Sequence, residues 1–512
     1  MLTKPATFAQ LWREAVAAVP ERPFLVWEDG DERVTTWTYR EFDELVDAVA
    51  GGLAAHGAGP GRPVHLALAN SPAFVATWLA ATRVGAAIVP SDPRATTREL
   101  QEQIARTRAA VGICATDRED VYRPAAEGGP TVLAMGEADT ELASLRGVPL
   151  ADAAPVPEAS SPAAVMFTSG TTAAPKGVVV TQANYAFAGE VMAIAAAVDR
   201  FDRQLVVLPM FHANAQYYSF AAAIAAGASV ALMSTFSATQ FLHQAARHQA
   251  THASLFAAPM RMILAKGPAR VPMIMLRHCW YAQNVAQDQY DELTNLFGCR
   301  PRQLYGMTET IPAVLTNRVL APVPSSMGKP TLGCIVDLRA PEGGSGPVSD
   351  GEVGEVVVGG ARGATIFAGY LDDPETTEAS FEGAWFRTGD LATRDGDGRY
   401  YFVGRRGDVL KVSGENVSTV EVEAVVSEHP SVLEAAVVGM PDEIRDEVPV
   451  AYVVLTPGAP VVGADDLSAW CEGRLAPAKR PREIFFVDEL PRTSVGKIRK
   501  FLLKSAPAEP RR

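Results

Sequence analysis

Residues 166–181 combine the side-chain types that bind phosphate groups in proteins. They read Met-Phe-Thr-Ser-Gly-Thr-Thr-Ala-Ala-Pro-Lys-Gly-Val-Val-Val-Thr. Hydroxyl groups donate hydrogen bonds to phosphate oxygens, glycine lets the backbone approach a ligand closely, and lysine adds a positive charge. The residues that we expect to contact phosphate are Thr168, Ser169, Gly170, Thr171, Thr172 and Lys176. A polar surface hairpin is the alternative that this segment alone leaves open.

Two short apolar runs flank this polar segment. Residues 163–167 and 178–180 each have the length and composition of a buried strand. A Walker P-loop ends in Gly-Lys-Ser/Thr and is followed by a helix, whereas this segment has Pro-Lys-Gly and a strand-like run. The pattern therefore predicts a loop rich in glycine and hydroxyl groups between two strands.

A second group of chemically useful residues lies at 303–310, which read Gln-Leu-Tyr-Gly-Met-Thr-Glu-Thr. Tyr305 can stack on a base, and Gly306 permits close approach of a ligand. Thr308 can donate to phosphate, and Glu309 can hold Mg²⁺ through its carboxylate oxygens. A plain turn from strand to loop explains these residues equally well.

Three further turns carry charged groups. In Trp-Phe-Arg-Thr-Gly-Asp at 385–390, Asp390 suits the hydroxyls of a ribose, although an aspartate that caps a turn is at least as common. Gly-Arg-Arg-Gly-Asp at 404–408 suits a hinge that contacts a ligand, or an exposed basic turn. Pro-Arg-Thr-Ser-Val-Gly-Lys at 491–497 presents Lys497, and a lysine this near the chain end is usually solvated.

The elements that must position these residues follow an α/β pattern. Capping boxes of the form Thr-x-x-Glu begin at Thr38 and Thr96 and predict two helix starts. Residues 64–68, 86–89 and 111–114 have the pattern of buried strands, and a similar alternation of strands and helices resumes over 205–256. We therefore expect two α/β subdomains whose largely parallel sheets are covered by helices.

The last third of the chain has a different pattern of apolar residues. From about Gly333 the apolar runs are shorter, at 355–358 and 400–403, which predicts a β-rich subdomain. Beyond Gly404, about a hundred residues are enough for a small domain with its own core. We predict a large amino-terminal domain over 1–406 and a small, mobile α+β carboxyl-terminal domain over 407–512, joined by a hinge at about Gly407.

Composition narrows the class of protein. The 512 residues carry a formal net charge of -13, which disfavours a nucleic-acid surface, and no apolar run is long enough for a membrane span. No secretory signal pattern is visible, and five scattered cysteines fit a reducing compartment, so we expect a cytoplasmic protein. We expect His243, His248 and His252 to be exposed helix residues and not metal ligands.

Together and in this order, the motifs resemble those of the adenylate-forming superfamily of acyl-CoA synthetases, adenylation domains and luciferases. The resemblance extends from Pro-Ala-Phe-Val-Ala-Thr-Trp-Leu-Ala-Ala-Thr-Arg-Val-Gly-Ala at 72–86 to the carboxyl terminus. Met-Thr-Glu-Thr at 307–310 and Ser-Gly-Glu-Asn-Val at 413–417 are most similar to the CoA ligases, including those for carnitine-type and medium-chain acids.

This resemblance implies two reactions on ATP, Mg²⁺, coenzyme A and a carboxylic acid. The acid attacks the α-phosphate of ATP and pyrophosphate leaves; the thiol of coenzyme A then displaces AMP from the acyl-adenylate. By resemblance, the loop at 168–177 holds pyrophosphate, Glu309 holds Mg²⁺, and Lys497 bridges the carboxylate and the α-phosphate. Leu-Pro-Met-Phe-His at 208–212 resembles the acyl-pocket segment of the family. His212, beside Phe211, is either a gate of that pocket or a buried histidine with satisfied hydrogen bonds.

The resemblance also implies contacts with the rest of the nucleotide and with coenzyme A. Adenine would lie against Ala282 and Gln283, and the ribose against Asp390 and Arg405. A swing of the small domain about its hinge would replace Lys497 by the face at 411–417 for the second reaction. The residues of that face in the predicted site are Lys411 and Gly414.

The sequence departs from the family pattern at three places. Ala173 replaces the usual glycine of the phosphate loop, Tyr-Ala-Gln-Asn at 281–284 replaces a Gly-Gly-Ala-Pro-like segment, and Gly407 replaces the usual Asp or Lys. Three alternatives to a full ligase therefore remain: an enzyme for the thioester-forming half alone, one that loads a separate carrier protein, and a nucleotide-binding protein without catalysis. The oligomeric state is open, with a dimer as one option.

Overall fold

The structure is a computed structural model. It describes residues 7–150, 157–168, 175–267, 272–341, 346–406, 409–412, 415–442, 446–460, 462–472, 474–492 and 498–505. Residues of the predicted site, its hinge and its departures from the family that lie outside these ranges are Ser169, Gly170, Thr171, Thr172, Ala173, Gly407, Gly414 and Lys497. Lys411 lies in a strand, but its side chain is not among those described.

The helices and strands are numbered in chain order. The helices are α1 (Phe8–Ala18), α2 (Tyr39–Ala55), α3 (Pro72–Val84), α4 (Thr97–Thr107), α5 (Glu119–Ala125), α6 (Gln182–Ala196), α7 (Ala222–Ala226), α8 (Phe241–Arg247), α9 (Ala257–Lys266), α10 (Gln287–Phe297), α11 (Pro374–Ala379), α12 (Thr419–Ser427), α13 (Ala464–Glu472) and α14 (Lys500–Ser505). The strands are β1 (Pro23–Glu28), β2 (Val34–Thr38), β3 (Val64–Ala67), β4 (Ile88–Pro90), β5 (Val111–Ala115), β6 (Thr131–Met135), β7 (Pro162–Thr168), β8 (Lys176–Thr181), β9 (Arg203–Val206), β10 (Ser229–Met233), β11 (His252–Phe256), β12 (His278–Ala282), β13 (Arg302–Tyr305), β14 (Leu315–Thr316), β15 (Lys329–Pro330), β16 (Ile335–Arg339), β17 (Gly354–Gly359), β18 (Gly369–Tyr370), β19 (Phe381–Glu382), β20 (Trp385–Arg394), β21 (Tyr400–Arg405), β22 (Val409–Val412), β23 (Glu415–Ser418), β24 (Val432–Asp442), β25 (Asp446–Leu455) and β26 (Glu483–Phe486).

The first of two compact units comprises Met1–Val336 and Val358–Phe386. One of its sheets has nine strands in the order β15-β14-β13-β12-β11-β9-β10-β1-β2, and the other has seven in the order β18-β8-β7-β4-β3-β5-β6. The interior strands of both sheets are parallel, and the antiparallel pairs lie toward the edges. The predicted α/β class with two largely parallel sheets is confirmed.

Local sequence signals set the helix starts of this unit. Thr38 Oγ1 accepts from Glu41 N at 3.2 Å, and Glu41 Oε2 accepts from Thr38 N at 2.8 Å, so the predicted capping box of α2 is present. The box at Thr96 is present as well. Helix α3 begins with Pro72 behind the cap Ser71 and is buried on almost every side. These reciprocal bonds satisfy backbone groups that a helix end leaves unpaired.

The second unit comprises Asp337–Val357 and Arg387–Arg512. One sheet of this unit contains residues of β16, β17 and β20 in that order, and β21 pairs with β20. A second sheet has the order β23-β22-β25-β24, with β26 on β25. Gly407 lies outside the described residues, and the domain boundary predicted there stays a prediction.

The second sheet of this unit has an apolar core on each face. Along β24, Ala435 and Val437 pack with one buried cluster, whereas Ala436 and Val438 pack with the other. Successive side chains of a strand point to opposite faces, so an uninterrupted apolar run indicates a sheet covered on both sides. The predicted α+β character of this part of the chain is confirmed.

Two features in the middle of the chain differ from what the sequence indicated. The alternation of strands and helices over 205–256 includes a π-helical segment at Asn214–Ala221, which continues as α7. His248 and His252 are buried and not exposed as predicted. Hydrogen-bond partners make this burial tolerable, because a ring nitrogen of His248 lies 2.6 Å from Glu28 Oε2 and one of His252 lies 3.1 Å from Ala196 O. Within the described ranges, no group of three or more His, Cys, Asp or Glu side chains could hold a metal ion.

The sequence analysis predicted no membrane-spanning helix. Among the helices in the described part of the chain, none has both the length and the apolar character needed to cross a bilayer.

Candidate active site

The predicted phosphate loop connects the two strands of an antiparallel hairpin. Strands β7 and β8 pair with Met166 opposite Val178 and Thr168 opposite Lys176. Thr168 Oγ1 donates to Lys176 O at 3.5 Å, so the described ends of the loop are adjacent. The strand that follows the loop confirms the distinction from a Walker P-loop, which leads into a helix.

Arg106, near the end of α4, contacts both ends of this hairpin loop. Its Nη1 donates to Pro175 O at 2.6 Å, and its guanidinium carbon lies 4.9 Å from the centroid of the Phe167 ring. The sequence analysis did not identify Arg106. A basic residue in the last turn of a predicted helix is ordinary, and it gave no signal of this contact.

Glu309 and Lys176 are linked through Tyr370, a residue that the sequence analysis also missed. Glu309 is buried, and its Oε1 accepts from Tyr370 Oη at 3.2 Å. Lys176 Nζ lies 4.9 Å from the centroid of the Tyr370 ring. Burial, and next the charge of Glu309, raise the pKa of Tyr370, so its hydroxyl keeps its proton and donates to the carboxylate.

The turn around Glu309 is held by its own backbone and side chains. Tyr305 is the last residue of β13, and Thr308 is half-buried in the turn that follows. Thr310 Oγ1 accepts from Met307 N at 2.8 Å. A Cβ at Gly306 would lie 2.8 Å from Tyr218 Oη and 2.9 Å from Pro312 O. Packing against these two residues therefore requires a glycine at this position.

The predicted acyl-pocket segment follows β9 and is positioned by Asn70. Asn70 Nδ2 donates to Leu208 O at 3.1 Å, and Met210 N donates to Asn70 Oδ1 at 2.8 Å. His212 is half-buried, and its ring centroid lies 4.3 Å from that of Phe211. The buried amide of Asn70 therefore fixes the backbone that carries the predicted gate.

One residue of the adenine-side segment adopts a backbone conformation that glycine favours. Ala282 ends β12, and the exposed residue after it, Gln283, has φ 74°. Asn284 Oδ1 accepts from Gln303 Nε2 at 2.8 Å. Gln283 therefore has a left-handed backbone conformation that is uncommon for a residue other than glycine.

The ribose-type carboxylate is in the second unit. Asp390 is buried and lies opposite Arg405 in the β20–β21 register, and Arg405 Nε donates to Asp390 Oδ1 at 2.8 Å. The turn predicted at 385–390 is not present, because these residues form part of strand β20, in which Gly389 has φ 76°. The predicted pair of Asp390 and Arg405 is thus in contact.

Glu355 holds this part of β20 in place, and the sequence analysis did not identify it. Glu355 is fully buried on β17; its carboxylate accepts from Gly389 N at 2.9 Å, from Arg387 Nε at 2.9 Å and from Arg406 Nη2. The one sequence signal was a carboxylate at the start of an apolar strand, which is ambiguous with an exposed strand end.

The described side chains fit a nucleotide with its metal ion. Mg²⁺ in such sites takes one or two carboxylates and otherwise substrate phosphates and water, so the single carboxylate of Glu309 is an adequate protein ligand. Tyr370 orients that carboxylate through its hydroxyl, and the ammonium of Lys176 lies over the ring of the same residue. These groups can therefore hold a metal ion and phosphate oxygens near each other.

Comparison with known proteins identifies the class. The model of the AMP-binding enzyme family matches residues 12–371, and that of the AMP-binding enzyme C-terminal domain matches residues 421–497. The chain belongs to the AMP-binding enzyme family. The resemblance to adenylate-forming enzymes inferred from the motifs is confirmed.

Individual relatives extend this comparison. The crotonobetaine/carnitine–CoA ligase of Salmonella typhimurium strain LT2 is 31% identical over 514 residues, which cover 97% of this chain and 98% of the relative. The solved anthranilate CoA ligase AuaEII in complex with anthranoyl-AMP superposes with a TM-score of 0.90 at 25% identity, covering 99% of this chain and 98% of the other. A benzoate CoA ligase from Burkholderia xenovorans LB400 gives a TM-score of 0.87 at 27% identity, with 97% and 99% covered.

Proposed function

We propose that this protein is an AMP-forming carboxylic acid:CoA ligase that uses ATP and Mg²⁺. The observation that carries the proposal is the contact chain from Lys176 through Tyr370 to the buried Glu309, beside a hairpin loop of phosphate-binding composition. Similarity to CoA ligases over almost the whole chain supports this reaction over other uses of ATP.

The first reaction joins the acid to AMP. A carboxylate oxygen attacks the α-phosphorus of ATP, the bond from that phosphorus to the bridging oxygen breaks, and pyrophosphate leaves with the electron pair. Catalysis of such a step depends on positioning and on stabilising negative charge. Lys497 contributes the charge between the carboxylate and the α-phosphate, and the hairpin loop with Lys176 retains the pyrophosphate.

Glu309 would hold the metal ion and Asp390 the ribose hydroxyls. When bound, Mg²⁺ neutralises charge on the phosphate oxygens. Tyr370 keeps the Glu309 carboxylate oriented, and Arg405 does the same for Asp390. The adenine base lies against Tyr305 and the segment of Ala282 and Gln283.

The second reaction forms the thioester. The thiolate sulfur of coenzyme A attacks the acyl carbonyl, the carbon–oxygen bond to AMP breaks, and AMP leaves. This step needs Lys497 to withdraw, and a hinge at about Gly407 lets the small domain replace it by the face carrying Lys411 and Gly414. His212 and Phe211 form the gate of the acyl pocket.

The names of the relatives support the proposed acceptor, and the cysteines support the proposed compartment. The relatives are named as CoA ligases, so coenzyme A is the acceptor that we propose, with loading of a separate carrier protein as the competing outcome. All five cysteines are free thiols, which supports a reducing compartment such as the cytoplasm.

Pyrophosphate exchange with Lys497→Ala tests the proposal. Wild-type protein should exchange labelled pyrophosphate into ATP with its cognate acid and form a CoA thioester detectable by mass spectrometry across a panel of carboxylic acids. The variant should lose at least about 100-fold in exchange, because one electrostatic group in a transition state contributes on this scale. It should keep thioester formation from a supplied acyl-adenylate.

Lys504→Ala is the matched control, since Lys504 is an exposed lysine on α14 in the same unit. It should leave both half-reactions unchanged. Thioester formation by the wild type from supplied acyl-adenylate alone, with no exchange for any acid, would replace the full ligase by an enzyme for the second half-reaction. A preference for a holo-carrier protein over coenzyme A would replace the acceptor.

A further inference from the structure

The segment around β18 is bonded to both parts of the phosphate end of the site. On one side, Phe367 N donates to Glu309 O at 2.9 Å. On the other, Leu371 N donates to Gly177 O at 2.7 Å, next to Lys176 in β8. One short stretch of backbone therefore fixes the distance between the carboxylate motif and the strand that begins with the loop lysine.

The side chain of Tyr370 repeats this connection with stronger groups. Its hydroxyl donates to Glu309 Oε1 at 3.2 Å, and its ring lies 4.9 Å from Lys176 Nζ. A hydroxyl bonded to a carboxylate restricts the rotation of that carboxylate, and a cation is attracted to the face of an aromatic ring. The hydroxyl of Tyr370 thus holds the carboxylate of Glu309, and the face of its ring holds the ammonium of Lys176.

Tyr370 is itself held firmly. Its backbone N donates to Thr377 Oγ1 at 2.9 Å, and its ring packs against Phe367 with centroids 5.0 Å apart. Only 9% of the residue is exposed. A side chain with so little freedom can transmit a position from one group to another.

We infer that Tyr370 is a positioning residue that orients Glu309 toward Mg²⁺ and places Lys176 beside the phosphates, so that metal binding and the phosphate loop are coupled. This inference rests on the proposed function. Residues that orient a metal ligand typically contribute 10-fold to 100-fold to metal affinity. Tyr370 contacts neither reacting atom and acts only through the two charged groups.

Two substitutions separate the two contacts. Tyr370→Phe keeps the ring and removes the hydroxyl, so it should weaken Mg²⁺ binding in the presence of α,β-methylene-ATP by about 10-fold or more. It should leave metal-free binding of the same analogue unchanged. Tyr370→Leu removes both contacts, so metal-free binding should fall as well, by about threefold or more. Both are measured by titration calorimetry, with no turnover needed.

A double-mutant cycle tests whether Tyr370 acts through Glu309. In the background of Glu309→Gln, Tyr370→Phe should cause no further loss of Mg²⁺ affinity, because the carboxylate that it orients is gone. The matched control is Tyr290→Phe: Tyr290 is also buried, and its Oη donates to Pro301 O at 2.9 Å. This control should lose some thermal stability and retain wild-type Mg²⁺ affinity.

The outcomes distinguish this inference from the proposed function. Wild-type Mg²⁺ affinity in Tyr370→Phe, equal losses in Tyr290→Phe, or additive losses in the double variant would each overturn the positioning role while leaving the ligase in place. A wild-type protein whose binding of the analogue does not depend on Mg²⁺ would remove both. Because Phe has nearly the shape of Tyr, the decision does not rest on the larger Leu substitution.

Discussion

At the scale of single residues, the candidate site depends on buried carboxylates that neighbouring side chains orient. Tyr370 donates to Glu309, and Arg405 donates to Asp390. Glu355 accepts from a backbone amide and from two arginines. A carboxylate with this many donors holds neighbouring segments together and need not bind ligand itself.

Glu355→Gln should therefore damage the second unit and its nucleotide contact together. The variant removes the buried negative charge that Arg387 and Arg406 contact. We expect its free energy of unfolding to fall by about 2 kcal/mol, less than the ~3–5 kcal/mol for a fully buried pair, because Arg406 is partly exposed. Chemical denaturation measures this loss, and ATP binding should weaken in the same variant because the part of β20 that carries Asp390 loosens.

Glu489→Gln provides the comparison, since Glu489 is an exposed glutamate of the same unit. It should change the free energy of unfolding by no more than about 0.5 kcal/mol. A Glu355 variant that is as stable as this control would show that the arginine contacts contribute nothing to the stability of this unit.

At the scale of elements, the β7–β8 hairpin needs an external support for its loop. A glycine- and hydroxyl-rich loop supplies few apolar side chains, so its ends must be fixed by neighbours if the phosphate-binding groups are to be ordered. Arg106 on α4 contacts Pro175 and the ring of Phe167, one at each end of the loop. Helix α4 therefore serves as the platform for the loop.

Arg106→Met should weaken ATP binding by about 10-fold, the cost of losing a charge-assisted hydrogen bond that orders the loop. Methionine is a good helix former, so α4 itself should persist. Arg98→Met, an exposed position on the same helix, is the control and should bind ATP as the wild type does. Calorimetric titration with ATP checks both, and equal affinities for the two variants would contradict a supporting role of Arg106.

At the scale of the whole molecule, several histidines are buried without charge. Burial lowers the pKa of His65 to about 4, and it also lowers those of His248, His252 and His278. The rings of His65 and Tyr122 lie within hydrogen-bond distance, with Nδ1 and Oη 2.7 Å apart. An unfolded histidine titrates near pH 6.5, so the unfolded chain binds protons that the folded chain excludes.

The contribution of these buried histidines to the free energy of unfolding should therefore be fully present above about pH 6.5 and be lost as the pH falls toward about 4. His65→Gln removes one of these groups, so the slope of unfolding free energy against pH should drop by about 1.4 kcal/mol per pH unit in this window. Denaturant titrations at several pH values measure the slope. His243→Gln, at an exposed histidine, should leave the slope unchanged, and a wild-type slope in His65→Gln would argue against the buried neutral ring.

Local patterns in the sequence were sufficient for much of the fold. Capping boxes at Thr38 and Thr96 and the apolar runs of β3, β5, β7 and β8 each depend on residues a few positions apart. Periodicity and turn chemistry are recorded at that range, so these elements could be predicted. Motif order added the family, which the comparisons confirm.

The tertiary structure decided which distant side chains support those motifs. Tyr370 and Glu309 are 61 positions apart, Arg106 and Pro175 are 69 apart, and Glu355 and Arg387 are 32 apart. Burial of His248 and His252 likewise depends on tertiary packing, whereas the sequence analysis expected both side chains to be exposed on a helix. A sequence pattern records what each segment prefers by itself, whereas these contacts exist only because sheet order and register bring separate segments together.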